Sequence, residues 1–190
     1  PTMNTLYRPL ARRGLMGLEY LLTRRGALTM APSQLGAFTR SSERHATPNI
    51  QFHIQPLSLD KFGDAMHEFP AITVSVCNLR PLSRGSVHVR SATAADAPVI
   101  APNYLSADED RQVAAESIRW ARKVMSQAPL AQYRPEEFRP GAHLESDRDL
   151  ARVAGDIGTT IFHPVGTARM GVAGDPMAVL DGNLRVFGVG

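Results

Sequence analysis

The sequence predicts an α+β domain, an antiparallel sheet with flanking helices. Strict alternation of apolar and polar residues recurs between residues 36 and 90, helical spacing of apolar residues appears on both sides of that region, and proline and glycine punctuate what lies between. With 190 residues the chain can bury one real core, or one large domain and part of another.

Residues 5–25 open the chain as a helix. Leu15, Leu18 and Leu22 share one face, Arg12, Glu19 and Arg25 can face water, and Gly26 and then Pro32 break the pattern. The same stretch is arginine-rich and acid-poor, as transit peptides are, but an amphipathic helix on a globular body is the simpler reading. A sheet over 36–90 follows. Ile50, Phe52 and Ile54 alternate with Gln51, His53 and Gln55. Ile72, Val74 and Val76 alternate with Thr73, Ser75 and Cys77, and Val87 and Val89 with His88 and Arg90. GAFTRSS is a weaker strand candidate, LSLDKFGDAMHEFP a loop, and LRPLSRG a hairpin-like connection.

Two helices complete the pattern. The first covers 106–127, with Ser106-Ala107-Asp108-Glu109 matching a capping box and Ala114, Ile118, Ala121 and Met125 as its stripe, stopped by Pro129. The second covers 146–157, capped at Ser146, with Leu150, Val153, Ala154 and Ile157 on one face and Gly158 at its end. AQYRPEEFRPGAH links them.

Composition excludes several classes. The charge of +3 is carried almost wholly by arginines scattered along the chain, and the sparse aromatics do not interleave with them, so a nucleic-acid surface is not indicated. Cys77 is the only cysteine, which rules out an internal disulfide and a cysteine-based metal cluster and fits a reducing compartment. No apolar run approaches the roughly 18 residues of a membrane span. There is no HExxH, no GxSxG and no phosphate-binding loop. The terminal FGVG is two glycines of a dinucleotide signature, a slender basis for a nicotinamide enzyme. A start at Pro1 and a stop at VFGVG are what a piece of a longer protein would show.

Among six histidines, His45, His67 and His143 read as surface residues, and His53 and His88 lie on the polar faces of strands. His163 differs. Ile161 and Phe162 give it an apolar neighbourhood that disfavours the imidazolium, Pro164 biases it towards extended backbone, and Gly166 admits close approach of a flat group. From these residues alone, a catalytic base and a hydrogen-bonded core histidine are both open. No second ligand stands at metal-binding spacing, so no metal is expected.

FHPVGTARMG followed by DPMAVLDGNLRVFGV, with LRPLSRGSVHVRS and APNYLSADEDR upstream in order, resembles the C-terminal part of the glucose–methanol–choline (GMC) family of FAD-dependent alcohol oxidoreductases, choline dehydrogenase-like members among them. GALTMAPSQLGAF is a looser match. The resemblance implies a substrate-binding domain over 1–158. It also implies an active-site segment over 159–190 that returns to an FAD-binding α/β domain whose dinucleotide fingerprint this sequence lacks. It implies oxidation of a primary alcohol, choline-like, aliphatic or aryl, to the aldehyde by hydride transfer to FAD, with oxygen, a quinone or another carrier as electron acceptor. His163 then matches the base that accepts the hydroxyl proton, and Phe162 flanks both substrate and flavin. The family's second active-site His or Asn would lie beyond Gly190, and Phe187 stands where many members have histidine. The expected compartment is the cytoplasm, or a membrane surface reached through the acceptor. The chain alone is expected neither to hold FAD tightly nor to turn over. A non-catalytic α+β binding module with a structural His163 is the alternative.

Overall fold

The alternating stretch NIQFHIQ becomes the central strand of the molecule. β2 (Ile50–Gln55) pairs antiparallel with β1 (Leu35–Thr39) on one side and β3 (Thr73–Asn78) on the other, giving the order β1-β2-β3. The computed structural model describes residues 2–31, 33–61 and 63–189; the expected helix stop at Pro32 and the chain ends at Pro1 and Gly190 lie outside the described residues. Ile50 is fully buried and Phe52 nearly so, and the register sets Phe52 beside Val76 and Ile54 beside Val74. Over this face lies α3 (Asp108–Met125), whose Val113, Trp120, Ala121 and Val124 close the core. Each large side chain buried there contributes about 1.5–3 kcal/mol of hydrophobic stabilisation.

The fourth expected strand does not join this sheet. β4 (Ser86–His88) instead forms a separate hairpin with β5 (Val99–Ala101), a strand hidden in the sequence between Pro98 and Pro102. The cause lies in Asp110. Its buried carboxylate accepts the backbone N–H of Leu82 at 2.9 Å and of Ser83 at 2.7 Å, turning the chain off the end of β3. At Gly85 the chain passes so close to the carbonyls of Ala101 and Pro102 that a side chain there would collide with both.

The predicted helix over 5–25 is two helices, α1 (Met3–Leu6) and α2 (Leu10–Thr23). Pro9, extended at ψ 128°, lacks the N–H that would carry the first into the second. Leu15, Leu18 and Leu22 do not face the body as expected; all three are exposed, and Met16 is the buried residue of α2.

α3 starts at Asp108 without the expected box. Its N-cap is Ala107, whose N–H donates to Ser83 Oγ at 3.1 Å, while Arg111 donates to the carbonyls of Leu105 and Ser106. Three acids in the first turn and two basic residues in the last suit the helix dipole. The row that meets the sheet shares Ala121 with the predicted stripe and otherwise runs one position before it, at Val113, Trp120 and Val124. α3 also packs on α5 (Asp147–Ile157), so both rows are at least half-buried. α5 is capped as read: Ser146 Oγ accepts the Asp149 N–H at 3.1 Å and donates to its carboxylate at 2.7 Å, and Leu150 is fully buried. Pro129 opens a short helix, α4 (Ala128–Ala131), rather than ending structure.

Polar clamps hold the loops. Arg122 forks onto Glu137 at 2.8 and 2.9 Å and also donates to the carbonyls of Gly141 and Leu144. Asn49, buried, accepts the Ser41 N–H and donates to Ser41 Oγ, while Trp120 Nε1 donates to the Ser41 carbonyl at 2.9 Å.

Candidate functional site

The segment that carries His163 begins where α5 stops. The N–H of Gly158 makes the last helical bond, to Ala154 at 2.8 Å, and the chain then runs without helix or strand through residue 169. Phe162 donates its N–H to Thr160 Oγ1 at 3.0 Å and takes a left-handed backbone, φ 63°, a conformation that costs a bulky residue energy and so needs support. Gly166 is also left-handed at φ 96°, with open space where a side chain would be.

Beyond Thr167 the chain knots onto itself. Met170 bridges Leu180, Leu180 bridges Val186, Gly171 donates to Leu180, and Arg169 pairs with Asp175 at 2.7 Å. Asp181 Oδ1 accepts the N–H groups of Asn183 and Arg185, closing the last turn. This knot and α5 fix the two ends of the His163 segment.

The imidazole itself is exposed. The apolar enclosure expected around it is not built by the described residues: Phe162 is 67% exposed and Val165 92%, with Ile161 also open. The run Ile161-Phe162-His163-Pro164-Val165 is therefore an apolar surface with one proton acceptor in it. Desolvation there requires a second surface laid over the run. The apolar, uncharged run and the open space at Gly166 are compatible with a flat apolar ring such as a flavin's. Nothing in the sequence cradles a dinucleotide pyrophosphate.

The remaining histidines are not gathered with His163 into a site. His53 lies on the outer sheet face, its Nε2 3.8 Å from Cys77 Sγ, and partial burial raises the Cys77 thiol above its ordinary pKa. His88 is exposed in the hairpin. His45 and His67, read as surface residues, are half-buried. Ser58 Oγ, His67 and Asp60 form a hydrogen-bonded chain, with distances of 2.7 and 3.3 Å. That order is also found in hydrolase triads, but the arrangement here is structural. Ser58 is buried with its N–H on Asn4, His67 stacks on Phe69, and Asp60 pairs with Arg139 at 2.6 Å. Loop composition gave no sign of it. Among the described residues no group of three or more His, Cys, Asp or Glu is disposed to hold a metal ion, and no helix is long and apolar enough to cross a membrane.

Comparison with known proteins addresses the same segment. Residues 81–190 match the family model described as GMC oxidoreductase. An alcohol dehydrogenase [acceptor] of Pseudomonas putida is 37% identical over 93% of this chain and 32% of its own length. Mouse mitochondrial choline dehydrogenase is 35% identical over 99% of this chain and 31% of its own. The crystal structure of pyridoxine 4-oxidase from Mesorbium loti superposes with a TM-score of 0.71 at 27% identity, over 82% of this chain and 30% of that one. The chain thus spans about a third of the length of the curated relatives it matches.

Proposed function

The chain belongs to the GMC oxidoreductase family, whose members are FAD-dependent flavoproteins, and from that premise we propose that it is part of an enzyme oxidising a primary alcohol to its aldehyde. The substrate class is choline-like, aliphatic or aryl. The carrying observation is the exposed segment at His163, an imidazole set in an apolar run between two fixed ends. The relatives named for alcohol and choline oxidation support the substrate class.

In this reading residues 1–158 form the substrate-binding part and 159–190 the active-site segment. FAD, when bound, supplies the acceptor for a hydride from the alcohol carbon. His163 takes the hydroxyl proton onto a ring nitrogen, which requires a neutral imidazole at the start. Phe162 shapes the wall between substrate and flavin ring, and water kept out by that wall cannot compete for the proton. Electrons leave to oxygen, a quinone or another carrier, and the compartment is the cytoplasm or a membrane surface reached through that acceptor. The test is anaerobic mixing of alcohol with the flavin-loaded protein carrying His163→Ala. Retained flavin with slow reduction supports the proposal. Reduction at the unmodified rate overturns it in favour of a structural His163.

A further inference from the structure

We infer that Thr160 is a positioning residue for His163, holding by one hydrogen bond the backbone turn that aims the imidazole; the inference rests on His163 being the base. Thr160 Oγ1 accepts the Phe162 N–H at 3.0 Å, and Phe162 is left-handed at φ 63°. A bulky side chain is disfavoured in that region, so the sequence Ile161-Phe162 does not select it unaided. A threonine hydroxyl that accepts the N–H two residues on does select a turn, and it supplies the support the strained residue needs.

The place of Thr160 in the chain matters as much as its bond. Thr160 is half-buried, whereas residues 161–170 are all exposed. It is the last anchored side chain before the run that carries the imidazole. On the other side, Pro164 biases His163 itself towards extended backbone. With Phe162 held on one side and His163 restricted on the other, the direction in which the imidazole leaves the chain is set. What remains is rotation about its own side-chain bonds. The bond joins residues two apart in the chain, so it does not depend on what lies over the apolar run. Hydroxyl and shape can also be separated: valine keeps the branched outline and lacks the acceptor, while serine keeps the acceptor and lacks the methyl group.

The test is anaerobic stopped-flow reduction of the flavin-loaded protein by choline, 1-hexanol and benzyl alcohol, one probe for each substrate class. Thr160→Val, Thr160→Ser, His163→Ala and the double variant of Thr160→Val with His163→Ala are compared with the unmodified protein. Thr160→Val should slow the limiting rate of flavin reduction about 10–100-fold, the effect of a misplacement of about 1 Å, with flavin content and half-saturating alcohol concentration little changed. Thr160→Ser should retain most of the rate. In the His163→Ala background Thr160→Val should add no further loss, because a residue acting through the imidazole then has nothing to position. A crystal structure of the flavin-loaded Thr160→Val protein should show Phe162 out of the left-handed region and the imidazole displaced. An unmodified rate in Thr160→Val, an equal loss in Thr160→Ser, an additive loss in the double variant or an unmoved imidazole overturns the inference and leaves His163 as the base. If His163→Ala is reduced at the unmodified rate, or none of the three alcohols reduces the unmodified protein, the base assignment falls and the inference falls with it.

Discussion

Ser83 and Asp110, 27 residues apart, meet at 2.7 Å, the backbone N–H of Ser83 donating to a carboxylate oxygen of Asp110 in the first turn of α3. This contact turns the chain from the three-stranded sheet into the hairpin and fixes where α3 begins. Burial by itself would raise the Asp110 pKa. Hydrogen bonding by Ser83 and Leu82, with Arg84 nearby, outweighs it, so the carboxyl titrates below its ordinary value.

Asp110→Asn should therefore cost about 1–3 kcal/mol at neutral pH, since the amide cannot accept at both positions and leaves a backbone donor unpaired. A folded pKa below the unfolded one contributes stability that is fully present above about pH 3.9 and is lost as pH falls through the folded value. Chemical denaturation across pH 2.5–7 should show unmodified protein losing stability in acid and the variant losing less.

Arg122→Lys should loosen the linker over 132–144, because an ammonium cannot reproduce the fork onto Glu137 or reach the same carbonyls. A loss of about 1 kcal/mol is expected, with faster amide exchange at Gly141 and Leu144. The Arg122 hydrogen bond holds the Glu137 carboxyl below its ordinary value, so its contribution, present above about pH 4.3, also fades in acid.

His163→Ala should slow flavin reduction by about 10²–10⁴-fold in the flavin-loaded protein, the range a positioned base supplies. Stopped-flow absorbance reads the rate, and the resting flavin spectrum reports that cofactor binding survives.

The 190-residue chain alone should bind FAD weakly and oxidise no alcohol, since the surface that would cover Ile161, Phe162 and Val165 is not among the described residues. Titration with FAD followed by fluorescence quenching checks this, and tight stoichiometric binding would refute it.

The central strands and the α5 cap were legible because each rests on local chemistry: alternation at Ile50, Phe52, Val74 and Val76, and a serine three residues before an acid. β5 was not legible, because Val99–Ala101 is only three residues long, too short a run for alternation to show. The orientation of α2 was misread for a different reason. Periodicity reports that a helix has an apolar face, not which surface that face meets. At the candidate site, the motif around His163 could be found in the sequence, but its exposure could not. The Ser58–His67–Asp60 chain was illegible because no spacing rule predicts which loop polar groups will meet.

The dependence of the sheet on α3 also has a consequence during synthesis. Ile50, Phe52, Val74 and Val76 leave the ribosome with β2 and β3, but the side chains that cover them run from Val113 to Val124, the last of them roughly 46 residues after Asn78. At about 5–20 residues per second, the nascent sheet carries a bare apolar face for roughly 2–9 seconds. Chaperone capture should therefore peak on nascent chains that have emerged between these two points, and slowing translation there should lower the yield of native protein.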